Sequence, residues 1–317
     1  MPYRLPFAPV AKRSPSLALA RAHALTVANA LAATLSLAGA LAAQTPVTSA
    51  PPQGVQRPAA GARAGGIQGS ELVIVVKDKG FEAAEQVDAG LVNVRLFNRS
   101  SAQQHFSILK VDRLDRLDQI SEYLKGGDWN VPWINRMGGP ESTPSGGVSS
   151  VSMVLEPGRY VIAQLPVNPN PGGPLILSEV KELSVTRRPG SSGSATLPSA
   201  ELRLKMFEWN YTLEGPLSAG RRTIRVDNTG QFEHQVWIVR LLEGKGLADA
   251  VKWAEKPAGA PPFEGVGGTT NLARGRSVNV TVDLLPGDYA LLCVSYNPLS
   301  KHLHSQHGMI KAVRVTP

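Results

Sequence analysis

Apolar and polar residues alternate along much of the chain in short runs bounded by turn residues: Leu72–Val76, Leu91–Phe97, His105–Val111, Val148–Leu155, Arg159–Gln164 and Glu179–Val185. A second series of the same character follows: Leu202–Phe207, Arg222–Val226, Gln235–Leu241, Ser277–Leu284, Asp288–Val294 and Gly308–Val315. Successive side chains of a strand point to opposite faces, so each run can bury one face and solvate the other. Short strands at this spacing predict an all-β fold of β-sandwiches. Pro157-Gly158 and Pro286-Gly287 supply tight turns before the fifth strand of each series. Two stretches change period, Arg113–Leu124 and Leu247–Lys256. In the first, Leu114, Leu117, Ile120 and Leu124 recur at helical spacing, which predicts one short helical insertion per series. Trp129, Trp133, Trp209, Trp237 and Trp253 are expected as core or edge aromatics.

The two series are copies of one unit. Glu71-Leu72 matches Glu201-Leu202, Asn98 matches Asn228, and Gly138-Gly139 matches Gly267-Gly268. Leu155-Glu156-Pro157-Gly158-Arg159-Tyr160 matches Leu284-Leu285-Pro286-Gly287-Asp288-Tyr289 in the same order. Co-linear landmarks of this kind predict tandem domains, 71–186 and 201–317. The Pro/Gly/Ser-rich stretch 187–200 reads as the linker between them.

The formal charge of +8 suggests an acidic partner until it is divided along the chain. Arg4, Lys12, Arg13 and Arg21 precede any acid, and Arg57, Arg63, Arg187 and Arg188 lie in the expected tethers. What is left is −3 for 71–186 and +3 for 201–317, so no nucleic-acid partner is implied. Residues 1–43 read as a signal peptide: a basic start, an apolar run from Ala24 to Leu41, and small residues at Ala40 and Ala42. Export to the periplasm or medium is expected, with no stable membrane span after cleavage. Residues 44–70 are Pro/Ala/Gly-rich without periodicity and read as a disordered linker.

Candidate chemistry concentrates late in the chain. Cys293 is the only cysteine, and His302, His304, His307 and Met309 follow it with no carboxylate between Cys293 and Met309. A lone cysteine in an exported chain cannot close an internal disulfide, which leaves a buried thiol, an intermolecular bridge or a ligated thiolate. Thiolate, imidazole and thioether suit copper; calcium and magnesium need oxygen ligands. A copper site of the thiolate type takes two imidazoles, a thiolate and a weak axial thioether. One imidazole must come from an early strand, where His234 follows the Asp227-Asn228-Thr229-Gly230 turn.

The second copy resembles the cupredoxins on these residues: a Pro-Gly-x-Tyr turn, a strand ending in Cys293, and His304-Ser305-Gln306-His307-Gly308-Met309 before the last strand. The resemblance implies two tandem Greek-key cupredoxin-like β-sandwiches, one mononuclear copper ion, and His234, Cys293, His304 and Met309 as its metal ligands. His302 and His307 are substitutes for His304. Ten residues separate Cys293 from His304, more than in the small electron-transfer cupredoxins. The first copy has lost the set, with Gln104, Gln164, Pro174 and Glu179 at the corresponding positions. Electron transfer or copper carriage, with a redox or copper-exchange protein partner, is the expected function. The alternatives are a metal-free structural or interaction module of the cell envelope, and zinc held by His302, His304 and His307. An enzyme is not expected: His302-x-His304 is the only His-x-His pair, and Gly-x-Ser-x-Gly, His-Glu-x-x-His and Gly-x-Gly-x-x-Gly are absent.

Overall fold

The computed structural model describes residues 69–112, 120, 131, 133–165, 179–187, 195–256, 258–297 and 299–317. The expected signal peptide, most of the 44–70 tether, all but Ile120 of the helix expected at 113–124, Trp129 and Pro174 lie outside the described residues.

The first half builds two layers. β1 (Ser70–Val76) buries Leu72, Ile74 and Val76 and pairs parallel with β4 (Gly90–Asn98), which pairs antiparallel with β7 (Val148–Leu155); β2 (Phe81–Ala83) closes the edge. The facing sheet runs β3 (Gln86–Asp88), β9 (Glu179–Thr186), β8 (Gly158–Leu165), β5 (His105–Val111) and β6 (Ile134–Arg136). Phe106, Ile108, Tyr160 and Ile162 from that sheet share one core with Leu72, Ile74, Val94, Leu96 and Val151. Strand alternation puts these residues inside, as two stacked sheets require.

The second half repeats the pairings. β10 (Leu202–Phe207) pairs parallel with β12 (Gly220–Asn228) and antiparallel with β11 (Asn210–Glu214), and β12 pairs antiparallel with β15 (Ser277–Leu284). The facing sheet runs β14 (Phe263–Leu272), β13 (His234–Leu241), β16 (Gly287–Leu292) and β19 (Ile310–Val315). Helix α1 (Leu247–Glu255) replaces the expected Leu247–Lys256 and buries Ala250 and Ala254. It packs on the outer face of that sheet with Trp237, Val239, Phe263, Ala290 and Leu292.

Seven strands exceed the sequence expectation: β2, β3, β6, β11, β14 and two short ones in the late arm, Tyr296–Asn297 and His302–Leu303. The first three have three residues each, too few to show alternation. In β14 the sequence Phe263-Glu-Gly-Val-Gly-Gly-Thr-Thr-Asn-Leu272 carries three glycines, which ordinarily argue against a strand. The glycines are there because β13 comes close. A Cβ on Gly268, at φ +131°, would lie 1.9 Å from the Val236 carbonyl oxygen.

The halves share a sheet. β7 pairs antiparallel with β15 through Val151↔Val280, and Val280 is the repeat counterpart of Val151. The bridge Pro140↔Thr269 again joins two counterparts. Gly138 N–H donates to Asn271 O and Thr270 N–H to Gly139 O, so the Gly138-Gly139 segment bonds to the end of β14. Self-pairing of equivalent residues is the signature of a two-fold relation, here within one chain. One eight-stranded sheet results, β11-β10-β12-β15-β7-β4-β1-β2. The C-terminal end of the expected linker is pinned rather than free. Arg225 Nη2 donates to the carbonyls of Leu197 and Pro198, and Asn279 Nδ2 to Pro198 O.

Candidate metal centre

His234 is placed by the turn before it. Asn228 Nδ2 donates to Phe232 O (2.8 Å) and Leu272 O (2.7 Å), while its Oδ1 accepts from Gly230 N–H (3.0 Å). With that turn held, β13 starts at His234, and His234, Val236 and Ile238 share the face turned into the sandwich. Cys293 lies directly after β16, on the same side of the fold.

The late arm is closed by backbone bonds. Cys293 N–H donates to Met309 O (3.2 Å), Ser305 N–H to Cys293 O (2.8 Å), His304 N–H to Ser295 O (2.8 Å) and Met309 N–H to His304 O (3.0 Å). The residues between do not form a slack loop. β17 (Tyr296–Asn297) and β18 (His302–Leu303) pair as a small hairpin, and Asn297 Oδ1 accepts from Leu299 N–H and Ser300 N–H across its tip. A turn of 3-10 helix, His304–His307, then ends at Gly308 with φ 96° and returns the chain to Met309. The spacing that distinguishes this chain from the small cupredoxins is thus an ordered excursion, and Cys293, His304 and Met309 are tied at its base.

Three ligand atoms converge. His234 Nδ1 stands 3.1 Å from His304 Nδ1, and Cys293 Sγ 3.4 Å from His304 Nδ1. The three lie within 4.8 Å of one another and all three residues are buried. An ion about 2.0 Å from nitrogen and 2.3 Å from sulfur needs donors roughly 3–4 Å apart, so this triangle fits one transition-metal ion. Met309 is fully buried and adjoins the group through its backbone bonds. His302 and His307, the substitutes in the sequence expectation, fall outside the group.

Burial sets the protonation. It pushes the His234 imidazole down to about 4 and, with help from His234 and His307, that of His304 to about 3. Both rings are therefore neutral near pH 7, with lone pairs free for a metal. Burial raises the Cys293 thiol, opposed by the Gln235 N–H, which donates to Sγ (3.5 Å), and by Ser295 Oγ (3.4 Å away). Metal binding would expel that proton.

Sequence reading missed the surroundings of the group. Trp209, expected as a core or edge aromatic, roofs it: its ring meets His304 edge-on at 4.9 Å, stacks on Phe232 at 5.6 Å and tilts over His307 at 4.5 Å. It occupies the tight turn between β10 and β11 at φ 60°, a conformation unusual for tryptophan. Ser295 Oγ, beside the sulfur, donates to Asn271 Oδ1 (2.7 Å), and Asn271 O accepts Gly138 N–H from the first half.

The first half places other residues at the corresponding positions. Gln104 bridges Thr143 as His234 bridges Leu272, which makes it the counterpart of His234. Gln164, the counterpart of Cys293, donates from Nε2 to Gln104 Oε1 (2.8 Å), and Gln104 Nε2 donates to Ser100 Oγ (2.9 Å). A mutual amide bond stands where imidazole and thiolate would be. His105 faces the other way, with Nδ1 on the buried Glu141 carboxylate and its ring 6.0 Å from Trp237.

The described residues form stacked β-sheets that carry one buried His-Cys-His group. Among solved structures the chain is similar to reduced auracyanin from Roseiflexus castenholzii, with 24% identity, 36% of this chain and 95% of that one covered, and a TM-score of 0.26. It is also similar to an azurin from Methylomonas sp. strain J (11% identity; 36% and 94% covered; TM-score 0.24). A variant of McoA multicopper oxidase from Aquifex aeolicus matches a longer stretch (16% identity; 78% and 66% covered; TM-score 0.26). No family model and no curated protein matches the chain. A fold by itself does not decide catalysis.

Proposed function

We propose that the chain is an exported copper protein that holds one mononuclear copper ion through His234 Nδ1, Cys293 Sγ and His304 Nδ1, with Met309 as the weak fourth ligand. The observation that carries this reading is the convergence of two neutral imidazoles and the only thiol on one buried point. Thiolate plus imidazole is a donor set for copper, and the absence of any carboxylate from Cys293 to Met309 disfavours hard cations. Bound there, copper supplies a one-electron couple. The chain's own residues hold the geometry: Gln235 N–H and Ser295 position the sulfur, and Trp209 excludes water from His304.

In this reading 1–43 is the signal peptide, 71–186 a ligandless domain and 201–317 the copper domain. Electron transfer or copper carriage with a protein partner follows, without catalysis. Among the described residues no helix is long and apolar enough to cross a membrane. The test is to add Cu(II) to the apo protein. Intense visible absorption from the copper–thiolate bond is expected, and Cys293→Ser should abolish it. Copper that washes out on dialysis without ever producing that band would overturn the reading.

A further inference from the structure

The hairpin between Cys293 and His304 carries two imidazoles that the buried group does not use. We propose that His302 and His307 form a second, outer site for a transition-metal ion, distinct from the buried one. Their ring centroids lie 5.9 Å apart with planes at 88°. The two rings of the buried group lie 5.0 Å apart at 64°, so the outer pair is spaced little wider than a pair whose nitrogens already converge.

Neither outer ring is a loose surface histidine. His302 is exposed on β18, whose partner strand holds it in register through Asn297. His307 is half-buried in the 3-10 turn; Trp209 lies over it at 4.5 Å and 35°, and Ser300 Oγ stands 2.8 Å from its Nε2. A hydrogen bond at Nε2 orients the ring and leaves Nδ1 as its ligand atom. The pair therefore offers two directed borderline donors at the surface, with water free to fill the remaining positions.

The chemistry selects the ion. No carboxylate occurs from Cys293 to Met309, and Lys301 sits at the hairpin tip, so the hairpin offers calcium and magnesium no anionic ligand. Imidazole without thiolate suits Cu(II), Zn(II) or Ni(II). Because no sulfur takes part, an outer Cu(II) lacks the intense thiolate band and shows an ordinary Cu(II) paramagnetic signal.

The untagged full chain, stripped of metal, is titrated with Cu(II) while absorbance and electron paramagnetic resonance are recorded. Two ions per chain are expected, one with the intense band and one without it. The combined variant His302→Asn, His307→Asn loses the second ion and keeps the band, which also shows that it folds. Cys293→Ser loses the band and keeps the second ion. A combined variant that binds as many ions as the parent overturns the outer site while leaving the buried one standing. A parent with the ordinary signal alone, removed by the combined variant, supports the outer site and sinks the buried one.

Discussion

At the scale of single residues, burial does most to shape the candidate site. His234 and His304 are held neutral by desolvation, down to about 4 and about 3, against an ordinary value of 6.5. In the unfolded chain both rings take up protons near that ordinary value, so between it and the folded values the unfolded state binds more protons. Their contribution to stability is complete above pH 6.5 and is lost as pH falls toward 4. The urea midpoint of the apo protein should therefore drop over that window, and His304→Phe should flatten part of the drop. Equal slopes for parent and variant would refute the assignment. Copper should steepen the loss, because protons compete with the metal for the same lone pairs.

The residue scale is also where the sequence was most legible. Cys293, His234 and His304 declare themselves by donor type and order, and they meet. Gln104 and Gln164 stand where His234 and Cys293 stand in the second copy, and they bond to each other. Trp209 stayed hidden, because a tryptophan in a turn carries no spacing that says which histidine it will cover. The same is true of Asn271, which reaches Ser295 only once β14 has been folded against the late arm.

Among elements, the least legible is β14, and glycine is the reason. Gly267 and Gly268 serve the alignment as landmarks, but their composition hides a strand. Their counterparts Gly138 and Gly139 play the same part against β5: a Cβ on Gly139, at φ +155°, would lie 2.2 Å from Phe106 O. Neither backbone can retreat, since β13 and β5 are central in their sheets. Gly268→Ala and Gly139→Ala should each cost roughly 3 kcal/mol or more, as strain and backbone displacement combine. Gly244→Ala is the control: its φ of +71° is strained, but nothing lies within 4 Å of the added carbon. Urea unfolding of the three variants decides the matter. A loss at Gly268 no greater than at Gly244 would mean that backbone approach is not what glycine serves there. The hairpin β17–β18 teaches the opposite lesson. Spacing alone shows only ten residues between Cys293 and His304, whereas pairing through Asn297 turns that length into structure.

Across the whole molecule, the first half meets the neighbours of the candidate site: Gly138 bonds to Asn271, which accepts from Ser295, and Arg136 pairs with Glu233. Its contribution at the surface between the halves is electrostatic as well as steric. Arg136 of β6, 2% exposed, sets Nη1 2.8 Å and 2.7 Å from the two carboxylate oxygens of Glu233, the residue before His234. Removing one partner of a buried pair strands the other, which normally costs about 3–5 kcal/mol. Glu233 keeps 30% of its side chain exposed and can regain water, so Arg136→Gln should cost less, roughly 1–3 kcal/mol. Glu233→Gln leaves the guanidinium with less compensation in a drier place and should cost at least as much. The two are in contact, so the double variant should be more stable than the sum of the single losses predicts. Urea midpoints of the four proteins give the coupling directly. The position of the copper–thiolate band, read on the same samples, tells whether the pair also steadies His234. Additive losses together with an unmoved band would reduce the first half to a sheet partner, with no hold on the metal.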